Sequence, residues 1–406
     1  MTRFYDILIA GSGPAGCAAA YDLAQAGKRV LLLDKRSFPR PKACACGLTR
    51  KTLAALRYSV DPVVERVCHE IVLQQASDDA GKREVRVKTR NPICAMAVRE
   101  RFDAFCLQQT LAAGRNGGGV EWEKIEGIIA LRESSVQVEL DVQTATGVET
   151  LRAAVMIGAD GSNGQTRRLA EGLLAGSEAV ATALPAEPAW YTRGFALEAT
   201  VPYDALPAQL PAGDAAHDLV FDFAPLPGGY GWLFPKGDHV NIGVGAFAPG
   251  DDATDAKLKQ VTRSLLAAYA LHKLGVALPK EVTGQYLGMG GQGYVPRGRV
   301  LLTGDAAGLV DPLTGEGIHS ALVSGQAAAA AILSGDADVA AAYARELRPL
   351  QETLAFSHRA ARAFYREPER GFRVMRTPLL RGLVLKTYAD GLPHTKLLGR
   401  LAKIVA

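Results

Sequence analysis

Little in this sequence is extreme, and what is scarce narrows the field. Cysteine is rare: six residues, all between positions 17 and 106. The nearest pair, Cys44-Ala45-Cys46, has the wrong spacing for a zinc knuckle, and no histidine cluster accompanies it, so no metal centre is expected. Scattered thiols suit a reducing, cytoplasmic compartment. Excess charge is scarce too: +4 over 406 residues argues for no nucleic-acid partner. Long apolar runs are missing. The least charged later stretch, residues 317–335, contains His319, Ser320, Ser324, Gly325 and Gln326 and makes a poor membrane span. Residues 1–20 share Arg3, an apolar run and small residues with a secretory leader, but Asp6 and a glycine pattern explain them better. There is no internal repeat. The one charge asymmetry lies late, where eleven Lys/Arg face three acids from Arg359 onward. Arg359, Arg362, Arg366, Arg370 and Arg373 recur at helical spacing around Pro368, a stripe that suits solvent or peripheral contact with the inner face of a membrane.

What is present is clearest at the start. With 48% apolar residues, 406 positions suffice for two intimately joined domains. Asp6-Ile7-Leu8-Ile9-Ala10 is the short apolar run of a strand buried on both faces. Gly11-Ser12-Gly13-Pro14-Ala15-Gly16 follows at once, and an alanine-rich helical pattern then runs to about Ala26. Gly27 stops it, and residues 29–33 read as a second buried strand ending in Asp34. Such a strand–turn–helix–strand unit holds a dinucleotide: Gly11 permits the tight turn, Gly13 lets the backbone approach a pyrophosphate, and Gly16 lets the helix pack closely. The N–H groups following Pro14, from Ala15 and Gly16 onward, lie at the positive end of the helix dipole. Asp34, with Lys35 beside it, stands where an acid accepts ribose hydroxyls. Nothing in this unit separates a nicotinamide from a flavin.

Further along, residues 70–75 and 84–88 read as strands with a turn at 78–81, and a helix opens at 99–103. Residues 120–131, 136–142 and 149–151 are expected to form a small antiparallel meander. Residues 195–201, 219–223, 229–234 and 240–246 are expected to form one antiparallel sheet. Residues 299–303 return to the buried-strand type, and apolar or small residues at 318, 321, 322, 325, 328, 329 and 332 mark a long buried helix. The expected fold class is mixed α/β: a Rossmann-like dinucleotide-binding domain, an inserted antiparallel-sheet substrate domain and a helical C-terminus. Residues 1–70, 95–180 and 285–345 are assigned to the first, 71–94 and 181–284 to the second, and 346–406 to the third.

Three further motifs occur in order: Arg99-x-x-Phe102-Asp103, Ala159-Asp160-Gly161-Ser162, and Leu302-Thr303-Gly304-Asp305-Ala306-Ala307 followed by Pro312 and Gly315-x-Gly317. In this the chain resembles flavoproteins of the para-hydroxybenzoate hydroxylase type. The resemblance implies FAD, with Asp305 beside Gly304 on the ribityl chain, Asp160-Gly161 near the diphosphate and Arg99 bracing the cofactor. A helix beginning near Gly315, Gly317 and Ile318 would aim its N-terminus at the flavin pyrimidine edge, where negative charge develops on reduction.

A sharper resemblance lies in the middle. Tyr230-x-Trp232-x-Phe234-Pro235, followed seven residues later by Gly243-x-Gly245, looks like the signature of the geranylgeranyl reductase family, and Lys42-x-Cys44 matches its early cysteine stretch. That resemblance implies that Cys44 faces the cavity between flavin and substrate, as a cofactor contact and a candidate for catalysis. The sequence departs at Ala45 and Cys46, where the family usually has Gly and then Gly or an acid. Tyr230, Trp232 and Phe234 alternate, so on a strand they share one face and make, with Gly243, a wall suited to a polyprenyl chain. The implied activity is an FAD-dependent reductase saturating C=C bonds by hydride transfer from flavin N5. NADPH or a reduced ferredoxin-like protein is the expected electron donor. An FAD-dependent aromatic monooxygenase or halogenase shares the cofactor motifs, though a halogenase needs an active-site lysine and residues 60–75 contain none. A non-catalytic, electron-carrying flavoprotein is the remaining alternative.

Overall fold

The computed structural model describes residues 3–391 except 76–82, 116, 175–177, 181–183, 211–216, 227, 247–254, 368, 370–371 and 373–374. The expected turn at 78–81, and Arg370 and Arg373 of the basic stripe, lie outside the described residues.

β1 (Arg3–Ala10), α1 (Pro14–Gln25) and β2 (Arg29–Asp34) open the chain, the two strands pairing in parallel from Ile7↔Val30 to Ala10↔Leu33. β3 (Gly47–Thr49), α2 (Arg50–Ala55), β4 (Val64–Cys68), β5 (Glu70–Gln75), β6 (Arg83–Lys88), β7 (Cys94–Ala97) and α3 (Arg99–Leu111) follow. Next come β8 (Gly119–Lys124), β9 (Gly127–Glu133), β10 (Val138–Thr144), β11 (Gly147–Gly158), α4 (Thr166–Leu174) and β12 (Ala179–Val180). The second half supplies β13 (Thr192–Pro202), β14 (Val220–Asp222), β15 (Gly229–Pro235), β16 (His239–Ala246), α5 (Asp255–Leu274), β17 (Val282–Met289) and β18 (Val300–Leu302). The helices α6 (Ile318–Leu333), α7 (Val339–Arg366) and α8 (Pro378–Asp390) follow.

The first sheet runs β12-β9-β10-β11-β1-β2-β8, with β18 also paired to β11. β11 serves two masters. Its outer half pairs antiparallel with β10, and Met156–Gly158 pairs in parallel with β18, so its sequence alternates first and is continuously apolar afterwards. Residues 120–131 do not form one meander strand. They break after Lys124, and β8 joins β2 in parallel while only β9 enters the hairpin. Glu121 and Glu123 explain the difference, because Tyr5 donates to Glu121 at 2.8 Å and Arg3 to Glu123 at 3.0 Å, drawing β8 to the sheet edge. The alanine-rich α1 and α6 pack in one core, and a Cβ on Gly325 would overlap the Ala15 carbonyl, so the two helices lie at backbone contact.

The second sheet runs β17-β13-β16-β15-β14-β5-β6. It is antiparallel except where β14 meets β5 in parallel, Val220 opposite Val72. The expected boundary at 285 falls inside β17, which pairs along its length with β13 from Thr192↔Met289 to Ala199↔Val282. Odd positions of β13 and even positions of β16 face α5: Phe195, Leu197, Ala199, Val240, Ile242 and Val244 share a core with Leu266, Tyr269 and Ala270. The opposite face is left for the site. β3, β7 and β4 form a small third sheet. Among the described residues, no helix is long and apolar enough to cross a membrane.

Candidate active site

The phosphate cradle follows from three glycines. Gly11 adopts φ +106°, and a Cβ there would run into the Ala159 carbonyl. A Cβ on Gly16 would overlap the Gly11 carbonyl, so helix and turn meet at backbone contact. Gly13 differs: its φ of −78° and ψ of −173° suit any residue, and an added Cβ would meet only the Arg40 guanidinium at 3.9 Å. The start of α1 has no side-chain cap and no acid in its first turn, so its N–H groups remain for an anion. Asp34 accepts the Ser12 N–H at 2.8 Å and the Arg36 N–H at 3.0 Å, which fixes the carboxylate beside the turn with lone pairs to spare. This cradle fits a dinucleotide. Lys35 is exposed and donates to Gln165 at 2.8 Å. Asp160 is engaged locally, its carboxylate accepting the Gln165 and Thr166 N–H groups at 2.7 and 3.0 Å and capping α4.

Against this crevice lies a cavity of about 1030 Å³, its open mouth included. On one side are Pro14, Asp305, Gly315, Gly317 and Ile318, the last opening α6 with no acid in its first turn. Pro312 is buried behind them and Gly315 turns at φ +69°. On the other side is the free face of the second sheet: Tyr230, Trp232 and Phe234 of β15, Phe221 of β14, and Ala196 and Glu198 of β13. Tyr230 donates its hydroxyl to the Thr314 carbonyl, tying the aromatic wall to the loop before α6. Gly243 does not line the cavity. It stands opposite both Glu198 and Trp232, and a Cβ there would overlap the Trp232 indole, so the residue is small because the ring lies on it.

The loop bearing Cys44 is held from outside. Lys236 donates its ammonium to the Ala45 and Ala97 carbonyls at 2.5 and 2.8 Å, and its burial lowers its pKa. The Cys44 sulfur accepts the Cys46 N–H at 3.4 Å. Cys46 itself has φ +49°, a left-handed conformation that costs a side chain about 1 kcal/mol, and this is where the family usually carries Gly or an acid. The Cys44 N–H donates to Glu198 Oε1 at 2.9 Å. The Asn241 amide also bonds Glu198, and Trp232 Nε1 donates to Asn241 Oδ1 at 2.7 Å, which orients that amide. Arg99 also lines the cavity, but its guanidinium fork closes on Asp103 with two bonds of 2.8 Å, and Arg40 approaches the same carboxylate at 3.4 Å. Lys42 lines the wall beside them, its pKa lowered by burial and by Arg99. His319 on α6 is pushed down to about 4 by burial, so it stays neutral near pH 7.

Burial pushes the Glu198 carboxyl up from 4.5 to about 7, outweighing the hydrogen bonds from Cys44 and Asn241. Between those two values the folded protein holds a proton that the unfolded chain has lost, so stability falls as pH rises through the window. Glu198→Gln is expected to raise the melting temperature above about pH 7 and to leave it unchanged below 4.5, as read from thermal melts across pH.

Of the residues singled out in the sequence, the structure brings Pro14, Cys44, Arg99, Asp305, Gly315, Gly317, Ile318 and the three aromatic residues around one cavity, and sets the Gly11 turn against Ala159 and Asp160 beside it. Sequence reasoning misses Glu198, Asn241 and Lys236. Their signal is weak: each is one polar residue between apolar or small neighbours, in or just after a strand.

Residues 4–189 match a family model described as an FAD binding domain. A geranylgeranyl diphosphate reductase of Rhodobacter capsulatus is 30% identical over 338 residues, 81% of this chain and 75% of that protein. A digeranylgeranylglycerophospholipid reductase of Methanopyrus kandleri is 30% identical across 80% and 76% of the two chains. For a menaquinone reductase of Mycolicibacterium smegmatis the figures are 31%, 81% and 76%. Among solved structures, a geranylgeranyl bacteriochlorophyll reductase-like protein of Thermoplasma acidophilum has TM-score 0.68 at 21% identity, covering 90% of this chain and 88% of its own. A flavin-dependent brominase has TM-score 0.71 at 18% identity, covering 95% and 93%. These two share the fold. The FAD-binding domain and these named relatives together define an FAD-dependent oxidoreductase. Within that class, the chain belongs to the geranylgeranyl reductase family.

Proposed function

We propose that this chain saturates C=C bonds of a polyprenyl substrate held in the aromatic-walled cavity. The observation that carries the reading is the wall itself: Tyr230, Trp232, Phe234 and Phe221 project from neighbouring strands onto one face, opposite the start of α6. An isolated alkene has no carbonyl to polarise, so rate must come from holding it in place in a dry site. Flat rings and the absence of a side chain at Gly243, which lets Trp232 lie down, provide such a surface. The relatives' names point the same way, toward diphosphate, glycerophospholipid and quinone carriers of prenyl chains.

In this reading Gly11, Gly13, Ala15 and Gly16 cradle the FAD pyrophosphate, with Pro14 starting the helix and Asp34 taking the ribose. Asp160-Gly161 and Gly304-Asp305 flank the chain between, and Lys35 stands at the rim. Pro312, Gly315, Gly317 and Ile318 at the α6 N-terminus, together with Cys44 and with Arg99 braced by Asp103, would hold the flavin ring. When bound and reduced by the external donor, the flavin would supply the hydride. The protein's own work is to orient the alkene on the aromatic wall, exclude water and place a proton. Tyr388 of α8 also lines the cavity and narrows its outer side. The electron donor we infer is external, NADPH or a reduced ferredoxin-like protein. The second glycine cluster, Gly288 to Gly293, ends β17 and enters a short 3₁₀ turn rather than a helix, so it makes no second cradle.

The test is oxygen-free oxidation of the chemically reduced holoenzyme. One equivalent of polyprenyl C=C bond, offered as geranylgeranyl diphosphate or a digeranylgeranyl phospholipid, neither of which has a head group that oxidises flavin, is expected to reoxidise one equivalent of flavin. Reoxidation that requires oxygen and yields a hydroxylated or halogenated product would establish the oxygenase chemistry of the fold's other members instead.

A further inference from the structure

Saturating an alkene takes a hydride at one carbon and a proton at the other, and the cavity's titratable groups are not equally able to provide the proton. Tyr230 has its hydroxyl hydrogen on the Thr314 carbonyl, and burial raises its pKa far above neutrality. Glu316 is already engaged, its carboxyl accepting from the Thr49 and Thr52 hydroxyls at 3.1 and 2.9 Å and pairing with the Lys51 ammonium at 2.7 Å. Arg99 is locked on Asp103. Glu198 is different in kind. It is the carboxyl that the second sheet turns toward the cavity, 8% exposed, cross-strand from Gly243 and so one strand removed from Trp232.

We propose that Glu198 is the acid that delivers the second hydrogen. This rests on the alkene-reducing reading of the cavity. As the alkene accepts hydride at one carbon, its π pair takes the proton at the other; a C–H bond forms, the Glu198 O–H bond breaks, and the carboxylate remains. That anion has its stabilisers in place: the Cys44 N–H at 2.9 Å, the Asn241 amide, and the charges of Lys236 and Arg99. The groups facing it are therefore Cys44 on the loop, Arg99 on α3, Asn241 on β16 and Lys236 after β15, two of them cationic. A new proton enters from solvent through the cavity mouth. An acid poised near the working pH transfers protons efficiently, and burial holds Glu198 at about 7.

Two measurements test this on the FAD-loaded protein. Infrared difference spectra across pH are expected to show a protonated carboxyl that titrates near 7 and is missing from Glu198→Gln. A carboxylate already present about one unit below that value overturns the proposal. In oxygen-free single turnover of the reduced enzyme with geranylgeranyl diphosphate, Glu198→Gln is expected to be slower by about 100-fold or more with FAD content unchanged. Wild-type rate should fall as pH rises past 7, a limb that Glu198→Asp retains and Glu198→Gln lacks. An unaltered Glu198→Gln rate, or a limb abolished by Cys44→Ser and kept by Glu198→Gln, overturns it. If wild type and variant both fail to oxidise with any polyprenyl alkene, the alkene reading falls and the proton-transfer role falls with it. The first measurement then reports only on ionisation.

Discussion

Gly13→Val is expected to yield a folded protein that has lost FAD. The backbone at Gly13 is extended, so Val meets no conformational penalty, and the space its Cβ would enter holds only the Arg40 guanidinium at 3.9 Å. That opening is where a pyrophosphate would lie against the N-terminus of α1. We expect affinity for FAD to drop by about 100-fold or more, a loss of about 2.7 kcal/mol or more. Apoprotein melting temperature should be unchanged. Gly16→Val supplies the contrast, because its Cβ would overlap the Gly11 carbonyl and damage the fold itself. Fluorescence titration with FAD, beside circular dichroism of both apoproteins, checks the pair. Equal affinity for Gly13→Val would remove the cradle from the account.

Asp103→Ala is expected to be among the most destabilising single substitutions in the chain. Asp103 is 1% exposed and takes both prongs of the Arg99 fork, with Arg40 at 3.4 Å and Lys42 nearby. Removing the carboxylate leaves a buried guanidinium uncompensated among like charges, a change that costs about 3–5 kcal/mol. Replacing Arg99 by Met and Asp103 by Leu together should recover much of that loss, since an apolar pair of similar volume removes the stranded charge. Urea denaturation of the three variants decides the matter. A double variant as unstable as Asp103→Ala would show that packing, not the lone charge, is at stake.

How much of this was legible depends on how far apart the deciding residues lie. The cradle is local: each demand of turn, approach and packing falls on one residue type between Gly11 and Gly16, and Asp34 ends the next strand. The aromatic wall is legible for the same reason, since alternation on one strand puts Tyr230, Trp232 and Phe234 on a common face. The place of Gly243 is not local. Only cross-strand register shows that the Trp232 ring occupies the space the glycine leaves. Glu198 is hidden twice over, because a lone glutamate in a strand reads as solvent-facing. Here the other face of β13 belongs to α5, and this face belongs to the cavity. The place of β8 is not legible, because its alternation suits a hairpin as well as an edge strand, and the contacts of Glu121 and Glu123 with residues of β1 are long-range.

The most direct test of the central claim is mass spectrometry of a polyprenyl lipid incubated, without oxygen, with the FAD-loaded protein and a reductant. A gain of two hydrogens for each double bond saturated, absent when protein or reductant is withheld, is the predicted result. A lipid recovered unchanged, or one altered only when oxygen is admitted, would contradict it.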